Sequence, residues 1–190
     1  MGKIVMSEFV SLDGVIQDPD GNEGFRVGGW VGQLKDREEL YAVKLGEALD
    51  TEALLLGRRS YEFFAARWQP RRGDLADRLN SLPKYVVSST LQDPDWNNSM
   101  VLTSDVVNEV SKLKQDVAGD ILVYASFQLL RTLIEHDLVD ELRLMVLPVV
   151  LGTGERLFGE TSDKKPMRLV DTRTVDDDIA FLTYETVREA

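Results

Sequence analysis

Three short apolar segments of the sequence end in small, hydroxyl-bearing or basic residues that could bind phosphate. Residues 54–56 lead into Gly57, residues 85–87 into Ser88, and residues 121–124 into Ala125. After the first and third segments we predict a helix, and the first N–H groups of a helix carry a partial positive charge. The pattern favours a site for a pyrophosphate and one further phosphate. An ordinary strand–helix turn has similar residues, and neither a GxGxxG nor a Walker A fingerprint is present.

Asp13 is the candidate for acid–base or positioning chemistry. It ends the first strand-like segment and begins a glycine-rich stretch, residues 13–32, that is long for a loop inside a compact domain. Loops of that length are often lids or binding loops. We therefore expect Asp13 to orient substrate or relay a proton. The alternative is an Asx turn before Gly14, because Asp-Gly is a common turn pair.

Five other side chains have weaker claims to chemistry. Trp30 could flank a flat ring substrate, or it could pack in the core. Glu38, Glu39 and Glu47 lie on the first predicted helix, where a solvated charged face is the expected arrangement. His136 follows an apolar helix, and histidines at helix C-termini often complement the helix dipole.

Composition excludes several classes of function. The 190 residues contain no cysteine and one histidine, so we expect no disulfide and no metal site. A net charge of −11 opposes nonspecific nucleic-acid binding. The longest apolar run, residues 144–151, is shorter than the roughly 20 residues of a transmembrane helix. The first residues lead directly into a strand-like run without a signal-peptide pattern, so we expect a cytoplasmic protein that does not bind membranes.

Hydrophobic periodicity and turn residues predict strands that alternate with helices. The predicted strands are 3–10, 53–56, 84–88, 100–103, 121–124, 140–150, 167–174 and 179–187, and the predicted helices are 36–50, 58–67, 75–82, 105–117 and 127–136. This order predicts an α/β fold with a mostly parallel sheet, helices on both faces and a C-terminal antiparallel hairpin. Ligands of such sheets bind beyond the carboxyl ends of the strands.

Read as an ordered set, these segments resemble a known family. Ser11-Leu12-Asp13-Gly14, the segment LLLGRRSYE at 54–62, KYVVSSTL at 84–91, and residues 119–142 and 147–154 are similar to the dihydrofolate-reductase-like superfamily. The nearest branch is similar to the C-terminal reductase domain of riboflavin-biosynthesis deaminase–reductases. The resemblance covers nearly the whole chain. It implies one three-layer domain over residues 1–190 and NADPH-dependent hydride transfer to a small heterocycle, either a 5-amino-6-(5-phosphoribosylamino)uracil-like pyrimidine or a dihydrofolate-like pterin.

The resemblance also implies a set of site residues. The cofactor would be bound by Gly57, Arg58, Arg59, Ser60, Ser88, Ser89, Thr90, Ala125, Ser126, Phe127 and Gln128, and the substrate by Trp30 and Pro148, with Asp13 as the catalytic residue. At Ala125 the chain departs from the family, which usually has glycine there. A flavin-using enzyme and a non-catalytic nucleotide-binding protein on the same fold are the alternatives.

We also expect a homodimer. The apolar run 144–151 and the C-terminal hairpin supply more apolar edge than one sheet of a monomer needs, and exposed sheet edges are usually paired or covered. Twofold dimers are the commonest closed oligomers. Similar reductase domains also pair in this way.

Overall fold

A computed structural model describes residues 1–32 and 36–188, and within them the predicted order of elements is confirmed. Each element begins and ends within three residues of its prediction. The strands are β1 (Ile4–Ser11), β2 (Thr51–Gly57), β3 (Lys84–Val87), β4 (Ser99–Leu102), β5 (Asp120–Tyr124), β6 (Glu141–Leu147), β7 (Met167–Val175) and β8 (Ile179–Thr186). The helices are α1 (Glu38–Asp50), α2 (Arg58–Trp68), α3 (Asp74–Ser81), α4 (Val106–Asp116) and α5 (Phe127–Glu135).

The strands form a mixed sheet in the order β4-β3-β2-β5-β1-β6-β8-β7. β2 runs parallel to both β3 and β5, and β3 runs parallel to β4. β8 pairs antiparallel with β6 and with β7, which forms the predicted C-terminal hairpin. The predicted fold class is therefore confirmed. None of the helices in the described ranges has both the length and the apolar character needed to cross a membrane.

The chain divides into two compact units. The first contains Met1–Met6 and Lys44–Asp140, and the second contains Ser7–Val43 and the chain from Glu141 onward. In the first unit, buried residues of β2, α2 and α3 form one apolar cluster with Trp96 and Leu122. The apolar run of β2 is buried on both faces, as is typical of a central strand in a parallel sheet. The expectation of a single domain stays a prediction.

The first unit also buries a lysine, Lys84, at the start of β3. Its Nζ donates to the carbonyl oxygens of Asn80 at 2.8 Å and Asn97 at 2.9 Å, and it lies 4.3 Å from the centroid of the Trp96 ring. Burial lowers the pKa of the Lys84 ammonium from 10.5 to about 8, because desolvation penalises its charged form. These contacts tie β3 to α3 and to the segment before β4.

The second unit has its own core, formed by residues of β6, β7, β8, the first half of α1 and the glycine-rich stretch. Its buried members are Val31, Leu40, Met145, Leu147, Val175, Ile179 and Phe181. Met145 and Leu147, which share one face of β6, are members of that core, whereas the buried Leu142 and Leu144 lie on the opposite face. In the apolar run 144–151, Met145 and Leu147 are therefore buried in this core and Val149 packs against it, whereas Pro148 and Val150 are exposed.

The glycine-rich stretch 13–32, all of it described, has no helix or strand of its own and is organised by the buried Asp18. The Asp18 carboxylate accepts the backbone N–H groups of Glu23 and Phe25, each at 3.0 Å. The backbone carbonyl of Asp18 accepts the N–H groups of Gly21 and Gly29. The stretch is thus a loop, as predicted, but one that a central carboxylate holds in a defined conformation.

Candidate cofactor site

The carboxyl ends of β2 and β5 are joined by two hydrogen bonds, one of which links two serines that are 66 residues apart. The Ser126 N–H donates to Ser60 Oγ at 2.9 Å, and the Gly57 N–H donates to Ser126 Oγ at 3.0 Å. We call Gly57, Ser60 and Ser126 the serine latch. Because β2 and β5 are parallel neighbours, the helices that follow them begin side by side at this edge of the sheet.

Both helices begin without a side-chain cap. Gly57 is the N-cap of α2 and Ser126 is the N-cap of α5, and neither makes a side-chain hydrogen bond to its own helix. The first N–H groups of a helix have no partner within the helix, and they carry a partial positive charge. The latch therefore brings together two positively polarised helix ends, an arrangement suited to a pyrophosphate.

The turn between β5 and α5 contains two consecutive non-glycine residues in the left-handed region. Ala125 has φ of 49° and Ser126 has φ of 60°. This conformation costs an L-residue roughly 1–2 kcal/mol. Ser126 is held there by the latch, and its Oγ also donates to the Tyr124 carbonyl at 3.1 Å. A glycine at position 125 would avoid this cost.

Gly57 has a different reason to be glycine. Its φ of −75° is open to any residue, and a Cβ added there would come no closer than 3.8 Å to Ser126. The described contacts of the protein itself therefore leave room for a methyl group. An absent Cβ at the head of α2 fits a site where a ligand approaches the backbone closely.

Arg58 connects the start of α2 to the end of β3. Its guanidinium donates through Nη1 to Thr90 Oγ1 at 2.6 Å and through Nε to Glu62 at 2.8 Å. Arg59 beside it is exposed, and none of the described residues pairs with it. Arg58 and the predicted hydroxyl of Thr90 are thus in contact, and Arg59 is the next residue of α2.

The three hydroxyls after β3 have different roles. The Ser88 side chain is buried, and its Oγ accepts the N–H groups of Thr90 at 3.2 Å and Leu91 at 2.9 Å. Ser88 therefore shapes the turn, whereas Ser89 and Thr90 are exposed. Of the predicted hydroxyl donors, those two are the accessible ones.

Phe127 and Gln128 form the first turn of α5. The guanidinium carbon of Arg131 lies 5.1 Å from the centroid of the Phe127 ring, and Gln128 is exposed. Every predicted cofactor residue therefore lies in the first unit, at the ends of β2, β3 or β5 or in the first turn of the following helix.

Asp13 lies in the second unit and fastens a distant loop. Its Oδ1 accepts the Ser11 hydroxyl at 2.7 Å and the Leu151 N–H at 3.1 Å, and its Oδ2 accepts the Gly152 N–H at 2.8 Å. We call these contacts the Asp13 clasp. The hydrogen bond from Leu151, followed by those from Ser11 and Gly152, lowers the Asp13 pKa from 3.8 to about 2.

The Asx turn that was the alternative interpretation of Asp13 is not formed. The Val15 N–H, which such a turn would direct to the aspartate, donates instead to Ser11 Oγ at 2.9 Å. The Arg156 guanidinium contacts the Asp13 carbonyl. Asp13 is therefore a carboxylate at neutral pH whose oxygens accept donors from the segment after β6.

The two predicted substrate residues also lie in the second unit. Trp30 is half-buried against the core of that unit, and its Nε1 donates to the Gln17 carbonyl at 2.9 Å. These contacts agree with the packing interpretation of Trp30. Pro148 follows β6 and is exposed. Their contacts with substrate stay predictions.

The expectation of a solvated face on α1 is wrong for Glu47. This side chain is buried and pairs with Lys44, with 3.1 Å between Oε2 and Nζ. Glu38 and Glu39 are exposed, as expected. The i,i+3 spacing of Lys44 and Glu47 was the available signal, but such pairs are usually on the surface.

In residues 1–32 and 36–188, no group of three or more histidine, aspartate and glutamate side chains could hold a metal ion.

Comparison with known proteins places the chain in a family. Residues 2–181 match the RibD C-terminal domain. The chain is 30% identical over 188 residues to the uncharacterized protein YyaP of Bacillus subtilis, which covers 96% of this chain and 94% of YyaP.

Two solved structures share the fold at lower identity. One, from Shewanella sp. PV-4, is named for riboflavin biosynthesis. It has a TM-score of 0.76 and 19% identity, with 98% of this chain and 99% of the other covered. The other is dihydrofolate reductase from Enterococcus faecalis complexed with NADP(H), with a TM-score of 0.62, 16% identity, and 97% and 96% covered. Because the family match spans residues 2–181, the chain belongs to the RibD C-terminal domain family.

Proposed function

We propose that the protein is an NADPH-dependent reductase that transfers hydride to a small heterocyclic substrate. The observation that carries this proposal is the meeting of the ends of β2, β3 and β5 through the serine latch and the Arg58–Thr90 bond. Family membership supports a reductase-type enzyme. A dihydrofolate reductase with NADP(H) bound has the same fold, which supports the choice of cofactor.

The residues of the first unit fit a dinucleotide with an additional phosphate. The polarised N-termini of α2 and α5 would bind the pyrophosphate, and Gly57 would admit it close to the backbone. Arg58 and Arg59, with the exposed hydroxyls of Ser89 and Thr90, would bind the 2′-phosphate through charge-assisted hydrogen bonds. When bound, the cofactor supplies the hydride, and the protein supplies binding and orientation.

Asp13 acts in this proposal by positioning the segment after β6. A carboxyl group with a pKa of about 2 holds almost no proton at neutral pH, so Asp13 is poorly suited to donate one. Two of its three accepted hydrogen bonds instead fix the backbone of Leu151 and Gly152. We retain Trp30 and Pro148 as proposed substrate contacts, and a pyrimidine or a pterin as the proposed substrate.

Two measurements test the function. NADPH titrated into the protein should quench tryptophan fluorescence at a stoichiometry of one per chain. Incubation with ribosylaminopyrimidines and with pterins should then consume NADPH with one of the two classes. Binding without consumption by any candidate would favour the non-catalytic alternative. Binding of a flavin but not of NADPH would favour the flavin-using one. We propose a cytoplasmic location for this activity.

A further inference from the structure

A buried network lies behind the turn that joins β5 to α5. Lys44 and Glu47 of α1 form an ion pair whose side chains are only 7% and 4% exposed. The Tyr124 hydroxyl donates to the same oxygen, Glu47 Oε2, at 3.1 Å. Lys44 Nζ also lies 4.7 Å from the centroid of the Tyr124 ring. One carboxylate oxygen thus accepts from an ammonium and a phenol, both charge-assisted contacts.

The network is anchored at both ends. Thr51 Oγ1 at the start of β2 donates to the Glu47 carbonyl at 2.8 Å. The Tyr124 ring packs against Phe64 of α2, with 6.2 Å between the ring centroids. Tyr124 is the last residue of β5 and immediately precedes the left-handed pair Ala125–Ser126. The network therefore holds the side chain of Tyr124, the residue immediately before the strained turn.

A strained turn persists only when its surroundings determine it. The serine latch holds this turn from the α2 side, at Ser126. On the β5 side, the Tyr124 hydroxyl bond to Glu47 fixes the preceding residue. Burying a charged pair stabilises little by itself, because desolvation offsets the attraction between the charges. The buried Lys44–Glu47 pair contributes instead by fixing the position of the Tyr124 side chain.

We propose that Lys44, Glu47 and Tyr124 are positioning residues that set the affinity for the pyrophosphate part of the cofactor. They act through the β5–α5 turn and the latch, without touching the ligand. The inference rests on the proposed function for its ligand, but the positioning itself can be measured in the protein alone.

The test is Tyr124→Phe, which removes one hydroxyl and keeps the ring. The dissociation constant for NADPH should rise about five- to tenfold, which lies within the range for the loss of one hydrogen bond of ordinary strength. Adenosine 2′-monophosphate, which carries only the phosphate assigned to Arg58 and Thr90, should bind within about twofold of wild type. In the ligand-free protein, hydrogen exchange of the Ser126 amide should become faster, while that of Leu122 in the middle of β5 stays unchanged.

Two further variants guard against trivial explanations. Tyr184→Phe in β8, in the second unit, is the matched control and should leave both ligands and the Ser126 amide unaffected. The double variant Lys44→Met with Glu47→Met removes both buried charges together, which avoids leaving one unpaired. It should weaken NADPH binding and spare adenosine 2′-monophosphate in the same way as Tyr124→Phe.

The outcomes separate the inference from the proposed function. Equal weakening of NADPH and adenosine 2′-monophosphate would mean a general structural role and would overturn the inference. Unchanged exchange of the Ser126 amide would overturn the positioning claim whatever the ligands do. If wild-type protein bound no NADPH, the proposed function and the affinity claim would both fail. Faster amide exchange in Tyr124→Phe would then still show that the network holds the turn.

Discussion

Ala125 adopts φ of 49°, and this single angle changes what its replacement by glycine should do. Sequence reasoning alone predicts that Ala125→Gly tightens NADPH binding by about 1 kcal/mol and lowers stability, since glycine loses more backbone entropy on folding. The left-handed conformation reverses the expected effect on stability, because alanine in this conformation destabilises the folded protein by roughly 1–2 kcal/mol. We expect Ala125→Gly to bind NADPH more tightly and to melt at a higher temperature, measured by calorimetric titration and thermal unfolding.

Ala118→Gly is the control for this prediction. Ala118 is exposed, precedes β5 and is not among the described non-glycine residues with positive φ. Glycine at position 118 should therefore lower the melting temperature slightly and leave NADPH affinity unchanged. If Ala125→Gly behaved like Ala118→Gly in both measurements, the β5–α5 turn would be neither strained nor part of a phosphate site.

Gly57→Ala tests the same site from the α2 side. The structure leaves 3.8 Å around an added Cβ, so the free energy of unfolding should fall by only about 0.5–1 kcal/mol, the loss expected at an N-cap. A cofactor phosphate close to the Gly57 backbone would meet the methyl group, so NADPH affinity should fall at least about tenfold. Parallel titration and denaturant unfolding separate the two effects.

Gly46→Ala provides the comparison within the same unit. Gly46 lies inside α1, and nothing lies within 4 Å of an added Cβ. This substitution should raise stability by roughly 0.5–1 kcal/mol, the helix preference of alanine over glycine. NADPH should bind as tightly as to wild type. If Gly57→Ala also bound NADPH as tightly as wild type, the proposed position of the pyrophosphate at the N-terminus of α2 would be contradicted.

At the residue scale, the sequence predicted which positions would form a candidate site but none of the contacts between them. A strand followed by a glycine and the start of a helix is a local sequence pattern, so residues 57–60 could be predicted as a candidate site without a structure. The Ser60–Ser126 bond joins residues 66 positions apart and depends on the register of β2 and β5. The burial of Glu47 depends on Tyr124, a residue of another element, so a helical pattern alone indicated solvent exposure.

At the scale of elements, the prediction succeeded because the breaks between elements are chemically explicit. Gly57, Pro83 and Gly119 each separate an apolar segment from its neighbour, and a strand or a helix ends near each one. The exact ends were less predictable. The run 140–150 was expected to be one strand, but β6 ends at Leu147, immediately before Pro148, which has no N–H to donate to a sheet ladder.

The Asp13 clasp predicts a pH dependence that belongs to this element. The Asp13 pKa falls from 3.8 to about 2 on folding. The ionised carboxylate therefore stabilises the folded protein fully above about pH 4, and that contribution disappears as pH falls towards 2. Asp13→Asn should be less stable than wild type at neutral pH. The difference in the free energy of unfolding should vanish towards pH 2, as measured by urea titration at several pH values.

Turnover gives a second readout for Asp13. If the clasp positions the backbone of Leu151 and Gly152 for the reaction, kcat of Asp13→Asn should fall even at temperatures well below its melting point. Loss of folded protein could not explain such a fall. Asp50→Asn, on an exposed aspartate at the end of α1, should change neither quantity. Normal turnover together with reduced stability would make the clasp purely structural.

At the scale of the whole molecule, the homodimer stays a prediction with a revised motive. Met145 and Leu147 of β6 are used in the core of their own unit, which removes part of the original reason. β7 ends the sheet order and pairs with β8, and it exposes Leu169 and Val170 at 48% and 43%. Exposed apolar edge strands are usually covered.

Light scattering at micromolar concentration should therefore give twice the mass of one chain. The double variant Leu169→Lys with Val170→Lys should give the mass of one chain without loss of secondary structure. A wild-type mass of one chain would contradict the prediction.

The central claim is that the ends of β2, β3 and β5 bind a dinucleotide bearing a 2′-phosphate. It is tested most directly by measuring the dissociation constants of NADPH and NADH for the same protein by calorimetric titration. Because Arg58 and Arg59 would make charge-assisted bonds to that phosphate, NADPH should bind at least about tenfold more tightly than NADH. Arg58→Gln should remove most of the difference while leaving NADH binding unchanged. Equal affinity of wild type for the two cofactors, or binding of neither, would contradict the account.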